Sequence, residues 1–288
     1  MKNRISSLAF LLVFILMLAG CGNNSNNAAE SANPESAGSA SPEASSSAGT
    51  GSSGEGALAA VKQKGSLQIG TEGTYAPFSF HDTSGTLTGF DVDIANEVAK
   101  RLGVKAEFVE TQWDGMVAGL DAKRFDVIFN EVSINDERKA KYDFSTPYIA
   151  SRAVLIVRSD NNDIKSFADL KGKKSGQSLT SNLTQIAKDN GAEIVAVDGF
   201  NQAVDLLNSK RIDATINDKL SYLDLKTQKP DIALKVVDEE ANASQSAAMF
   251  RKGESDLVDA VNQALADMQK DGTYLSISKK YFGEDVSK

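Results

Sequence analysis

The 288 residues carry 31 basic and 39 acidic side chains, a net charge of −8 and 41% hydrophobic content. That length suits about two domains of ~100–200 residues each, and an acidic chain of ordinary charged content is neither a binder of nucleic acid, which selects basic faces, nor disordered throughout. One Cys and one His exclude an intrachain disulfide and a Cys/His zinc cluster, and leave His81 as the only imidazole for a catalytic triad.

Lys2 and Arg4 precede an unbroken apolar run of 12 residues, 8–19. A bilayer span needs roughly 20 residues, so residues 1–20 read as a secretory signal. The run ends in Leu18-Ala19-Gly20-Cys21, which resembles a bacterial lipobox and makes Cys21 the expected lipidated N-terminus of the mature chain. Acyl chains contribute ~0.8 kcal/mol per buried CH₂, enough together for stable anchoring. Apart from Pro34 and Pro42, residues 22–56 contain no apolar side chain larger than Ala. Such a stretch cannot offset its ordering entropy, so residues 21–56 are expected to be a lipidated tether with a reach of roughly 30–35 Å. Loss of Lys2 and Arg4 with the leader lowers the charge by two, from −8 to −10.

From residue 57 strands and helices alternate. A strand is predicted at 66–70, and a hairpin at 78–82 and 86–90 around Thr83-Ser84-Gly85. A helix follows at 91–102, with Ile94, Val98 and Leu102 on one face and Gly103 at its stop. Then come a strand at 106–111, a helix carrying Trp113, Met116, Val117 and Leu120, and a strand at 125–130 without polar alternation. Strands at 153–157, 173–176, 193–197 and 212–216 alternate with helices at 181–189 and 201–208. Strands at 232–237 and 247–250 and helices at 255–270 and 273–281 close the chain. This order implies an α/β fold of two lobes, each a mostly parallel sheet flanked by helices.

The segment Leu120-Asp-Ala-Lys-Arg-Phe-Asp-Val-Ile-Phe-Asn130-Glu131 recurs at a constant offset of 87 as Leu207-Asn-Ser-Lys-Arg-Ile-Asp-Ala-Thr-Ile-Asn217-Asp218. Upstream, Trp113 aligns with Phe200. Two related lobes, each ending a central strand in an Asn-acid pair, would place both strand ends on one cleft, where open parallel sheets bind ligands.

The residues at those ends suit a zwitterionic amino acid. Arg138 can grip a carboxylate through parallel charge-assisted bonds. Ser178, Ser181 and Asn182 precede a helix whose N–H groups add donors. Asp218 can accept from an ammonium group, and Tyr75 and Trp113 can enclose a side chain. Glu72, Asn130, Glu131 and Ser133 follow predicted strands at the same edge. Each has a plainer account: Arg138 paired with Asp136 or Asp143, Asp218 capping the next helix, Tyr75 and Trp113 in the core, Glu72 solvated, Glu131 paired elsewhere and Ser178 in a loop.

Several motifs are more specific. They are Gly70-Thr-Glu-Gly-Thr-Tyr75-Ala-Pro77, Leu87-Thr-Gly-Phe-Asp91-Val-Asp93, Trp113-Asp-Gly-Met116, Ser133-Ile-Asn-Asp-Glu-Arg138 and Tyr142-Asp-Phe-Ser-Thr-Pro-Tyr148. Across residues 58–283 the chain resembles the family 3 extracellular solute-binding proteins, receptors of polar amino acid ABC importers, and among them the L-cystine binders. The resemblance implies a periplasmic-binding-protein-like (type II) clamshell. Lobe 1 would span 57–151 and 246–288, lobe 2 would span 152–245, and the hinge would lie near 149–153 and 244–249. It implies that Arg138, with Ser133 and the Ser181/Asn182 loop, takes the ligand α-carboxylate. Asp218 would take the α-amino group, Tyr75 and Trp113 would flank the side chain, and Glu72 would contact the ligand. It also implies a monomer without cofactor or metal, working with a permease and its ATPase at a cell membrane, the long tether favouring a Gram-positive surface. Cystine-binding members carry Asn-Gln-Val where this chain has Asn130-Glu131-Val132, which leaves Lys, Arg or Gln open as ligands. A cyclohexadienyl lyase on the same fold and a sensor module are the alternatives to a transport receptor.

Overall fold

The computed structural model describes residues 56–288. The predicted leader, Cys21 and the tether up to residue 55 lie outside the described residues. Ten strands build two sheets. In chain order they are β1 (Ser66–Thr71), β2 (Lys105–Glu110), β3 (Val127–Ile128), β4 (Tyr142–Phe144), β5 (Ala153–Arg158), β6 (Lys174–Gln177), β7 (Glu193–Ala196), β8 (Ala214–Asp218), β9 (Leu234–Glu239) and β10 (Met249–Arg251).

The first sheet has the order β2-β1-β3-β10-β4 and the second β7-β6-β8-β5-β9. In the first, β1 runs parallel to β2 and β3, while β10 is antiparallel to β3 and β4. In the second, β6 runs parallel to β7 and β8, while β5 is antiparallel to β8 and β9. Four strands of each sheet therefore share a direction. The reversed strand is in both cases the first one laid down after the chain crosses between sheets. The crossings themselves, Ile149–Ser151 and Ser244–Ser246, pair antiparallel as a two-strand connection.

The 87-residue echo is structural. The helices Trp113–Asp121 and Phe200–Asn208 begin and end at equivalent positions. Each is followed by a lysine in the left-handed region, Lys123 at φ 58° and Lys210 at φ 60°. Asp126 then accepts from the Gln68 N–H, and Asp213 from the Lys174 N–H, both at 2.9 Å. Each reversed strand ends in an arginine that binds the same two carbonyls of its own loop. Arg251 Nη1 donates to Leu120 and Phe125 at 3.1 and 2.7 Å, and Arg158 Nη1 donates to Leu207 and Ile212 at 3.4 and 3.0 Å. The strand parallel to both its neighbours in each sheet, β1 and β6, carries a glycine under this loop. A Cβ on Gly70 would lie 2.6 Å from the Phe125 ring, and one on Gly176 2.7 Å from Ile212. The glycines let each strand edge sit flat on an apolar side chain, which fixes where the strand ends point.

The C-terminal helix Ser255–Asp271 buries Leu257, Val261, Leu265 and Met268 in one core with Phe90, Ile94 and Val98 of the helix Phe90–Leu102. That helix stops at Gly103, at φ 74°, whose N–H turns back to Ala99 and Lys100. The final helix, Thr273–Phe282, is tied to the same helix by Lys280 and Tyr281 on Asp93, at 2.6 and 2.8 Å.

The predicted elements shift in places. The strand expected at 125–130 shortens to Val127–Ile128, because 123–126 form the loop that the arginine clamps. The strand expected at 212–216 occupies Ala214–Asp218 for the equivalent reason. Three helices carry no signal that periodicity detects. Asp136–Lys141 is one and a half turns long and rests on its Asn135 cap, whose Oδ1 accepts from the Arg138 N–H at 2.8 Å. Lys219–Gln228 buries only Ser221 and Leu225, and Ala57–Lys64 only Val61.

Candidate functional site

The carboxyl ends of both sheets face one cavity of about 700 Å³, part of it open to solvent. Glu72 follows β1, Asn130 and Glu131 follow β3, Ser178 follows β6, and Asp218 ends β8. Trp113 and Phe200, equivalent residues opening equivalent helices, supply an aromatic wall from each side. Ten of the eleven predicted ligand contacts line this space: Glu72, Tyr75, Trp113, Asn130, Glu131, Ser133, Ser178, Ser181, Asn182 and Asp218.

Arg138 is the exception. Its guanidinium carbon sits 5.2 Å from the centre of the Trp113 ring, and its Nη1 donates to the Ser133 carbonyl at 2.8 Å. It is 9% exposed and stands behind the Trp113–Ser133 wall. The surface pairings considered for it do not form. Asp136 pairs with Lys139 and Asp143 with Lys252.

Other candidates do two jobs. Asp218 caps the helix Lys219–Gln228, its Oδ1 accepting from the Leu220 N–H at 2.7 Å, and it also lines the cavity. Ser181 likewise caps Asn182–Asp189 through the Leu183 N–H at 3.2 Å. Trp113 packs on Met116, Leu120 and Ile128, yet its indole N–H has no acceptor among the described residues. His81 stays on the hairpin, with Nδ1 3.1 Å from the Gly73 carbonyl and Nε2 3.3 Å from Glu110.

The cavity is acidic. Burial pushes Glu72 up to about 7, against a bond from Asn130 Nδ2 at 2.6 Å. Burial pushes Asp218 up to about 6, against hydrogen bonds from Ser151 and the following N–H groups. Glu131 is pushed well above the usual carboxylate range by burial and then by the charge of Asp218, with Ser246 and Arg138 opposing. Its backbone stands at φ 50°, where a non-glycine residue is strained. Buried Asp91 holds it there, accepting the Glu131 N–H at 2.6 Å and the Tyr148 hydroxyl at 2.8 Å.

Hydrogen bonds cross the cleft. Tyr75 Oη donates to Asn217 Oδ1 at 2.8 Å, Asn201 Nδ2 to the Thr74 carbonyl at 3.0 Å, and Ser221 Oγ to the Ala76 carbonyl at 2.9 Å. At the mouth, the Asp114 carboxylate accepts from the Leu179 N–H, the Thr180 N–H and Thr180 Oγ1 at 3.1, 2.9 and 2.8 Å. These bonds join the two sides of the cleft. Asp114→Ala should therefore weaken ligand binding about five-fold, at roughly 1 kcal/mol for an exposed charged latch. The loss should lie in a faster dissociation rate by stopped-flow, and an unchanged rate would refute the latch.

Sequence reading missed Gln177, Asn217, Phe200 and Ser244 in the cavity wall, and Asp91, Asp114 and Ser246 around it. Asn217 and Phe200 were visible as partners of Asn130 and Trp113 in the echo. The others depend on how the lobes meet. Among the described residues, no group of three or more His, Cys, Asp or Glu is placed to hold a metal ion.

Comparison with known proteins agrees with this geometry. The chain is 45% identical over 290 residues to the L-cystine-binding protein TcyA of Bacillus subtilis (strain 168), covering all of both chains. An ancestral arginine-binding protein bound to arginine superposes with a TM-score of 0.72 at 40% identity, covering 76% of this chain and 98% of that one. The L-cystine solute receptor of Neisseria gonorrhoeae, unliganded and open, reaches only 0.54 at 45% identity, covering 81% and 99%. Sequence divergence does not explain that order, whereas a cleft shut by the bonds above does. The family model for bacterial extracellular solute-binding proteins, family 3, matches residues 67–284. With its two lobes, two crossings and shared cleft, the chain belongs to that family and has its type II clamshell fold.

Proposed function

We propose that this chain is the receptor of an amino acid ABC importer and that it binds L-cystine. The observation that carries the reading is the cavity itself, which three carboxylates, Glu72, Glu131 and Asp218, line from the two sheets, with the Arg138 guanidinium stacked behind the Trp113 wall. A ligand with two ammonium and two carboxylate groups matches that excess of acid better than a singly zwitterionic one. The full-length likeness to TcyA supports the same ligand. In this reading residues 57–151 with 246–288 form lobe 1 and 152–245 form lobe 2. Arg138, Tyr75 and Trp113 receive the ligand on lobe 1, and closure brings Asp218 and the Ser178–Ser181–Asn182 loop over it. Ligand shifts the open–closed population by its greater affinity for the closed form. The leader and Cys21 support a lipid anchor at a cell membrane, from which a monomer on its tether reaches the permease and its ATPase.

A basic amino acid is the second reading, favoured by the carboxylate of Glu131 and by the arginine-bound neighbour. A thermal-shift screen of the protein against the amino acids separates the two. Ligand at 100 times Kd adds ~2.7 kcal/mol, which raises Tm by roughly 5–10 °C at this size. A lone shift with L-cystine is expected. A lone shift with lysine or arginine moves the assignment to a basic ligand. No shift with any amino acid, together with turnover of prephenate or arogenate, would make the chain a lyase.

A further inference from the structure

The 87-residue repeat aligns two carboxylates whose charges act on each other: Glu131, in the loop after β3, and Asp218, which ends β8. Both line the one cavity. The Tyr75 hydroxyl ties their surroundings together, lying 2.8 Å from Asn217 Oδ1, beside Asp218, and 3.4 Å from Glu131 Oε2. Ser246 Oγ donates to the other Glu131 oxygen at 2.9 Å. The charged and titratable groups around the pair give little compensation. Tyr75, Tyr148, Asp91 and Glu72 are neutral or acidic, and Lys219 turns its ammonium to Glu239 at 2.7 Å. Among the described residues, Arg138, behind Trp113, is the cation whose field acts on Glu131. Two carboxylates that line one cavity and repel each other do not both stay ionised without a cation between them.

We propose that Glu131 and Asp218 form a single cation seat that holds a proton in the closed, unliganded cleft and exchanges it for a ligand ammonium group. This rests on the amino acid receptor reading. The exchange balances simply. A carboxyl O–H of the pair gives its proton to a solvent base, and the ammonium enters and leaves with its own protons. The carboxylate left behind then pairs with the ammonium. Glu131 keeps its strained backbone because Asp91 Oδ2 accepts its N–H. That strain buys position: it fixes where the side chain enters the cleft. Binding is then linked to pH through the seat, growing tighter as pH rises through the range where the pair releases its proton.

Calorimetry of the full chain with L-cystine, and with L-arginine as the second probe, tests this in phosphate and in Tris at pH 6.5. The two buffers differ in ionisation enthalpy, so the difference in apparent binding enthalpy counts protons. Release of up to about one proton per ligand is expected. Glu131→Gln should abolish most of that release and weaken binding about ten-fold. Asp218→Asn, which keeps the helix cap, is the second variant and should abolish it also. Tight binding with no buffer dependence, or release unchanged in both variants, overturns the seat while leaving the receptor reading intact. Absence of binding by either probe and by the remaining amino acids overturns both.

Discussion

Arg138→Ala is expected to weaken ligand binding at least 100-fold, a loss of about 3–5 kcal/mol, while the unliganded protein still folds. The guanidinium is nine-tenths buried, stacked on Trp113 and fixed by one bond to the Ser133 carbonyl. That bond uses one of its five N–H donors and orients the planar fork. Burial lowers its hold on its own proton, and the nearby Glu131 carboxylate offsets this. Removing it leaves a ligand carboxylate unpaired in the cleft, and it also strips Glu131 of a cation whose field reaches it. The stacking contact on Trp113 is worth only about 1 kcal/mol, so the apo Tm should fall by a few degrees. Arg138→Lys separates charge from geometry. It should recover part of the affinity but not the two-bond grip. Binding by Arg138→Ala within three-fold of wild type would remove Arg138 from the site.

The same residue shows what sequence alone can and cannot give. The motif Ser133-Ile-Asn-Asp-Glu-Arg138 marks the arginine, because its spacing is tied to the short capped turn Asn135–Lys141. It does not reveal that the side chain lies behind the aromatic wall, since that depends on packing against Trp113, 25 positions earlier. The strands and long helices were legible because their apolar spacing follows their burial. Lys219–Gln228 was not, because it lies against the body with only two buried positions and owes its start to Asp218. The repeat aligned Glu131 with Asp218, and the loops before the two strands do share their geometry, but β3 stops at Ile128, before Glu131, whereas β8 runs through Asp218. Asp114 and Asp91 were beyond reach for a different reason. Their partners, Thr180 and Glu131, lie 66 and 40 positions away, and nothing in local pattern encodes such a pairing.

Asp91 gives the second large effect, a stability that declines as pH rises from 5 to 7. Burial pushes this carboxyl from 3.8 up to about 7, against hydrogen bonds from Tyr148 and the Glu131 N–H. In the unfolded chain an aspartate titrates near ~3.9. Between those values the folded protein holds a proton that the unfolded chain has released. Folding is therefore favoured most below about pH 4 and loses that advantage as pH climbs to about 7. At about 1.4 kcal/mol per pH unit, the interval from pH 5 to 7 is worth roughly 2–3 kcal/mol, or about 5–10 °C in Tm for a body of this size. Glu72 and Asp218 push in the same direction, but they face the cleft and regain water when it opens. The Asp91 side chain bonds Glu131 and Tyr148, which follow β3 and β4 of the first sheet, so its contribution does not depend on contacts across the cleft. The acids held low titrate below this window: Asp271, bound by Thr273 and Arg101, sits at about 2. Asp91→Asn should flatten more than half of the slope, since the amide oxygen still accepts the Glu131 N–H and its NH₂ reaches Tyr148 Oη. A wild-type Tm that instead rises between pH 5 and 7 would mean that Asp91 is ionised when folded. Glu131 would then be anchored by a buried charge rather than by a neutral acid, and the cleft would carry one more negative charge for the ligand to meet.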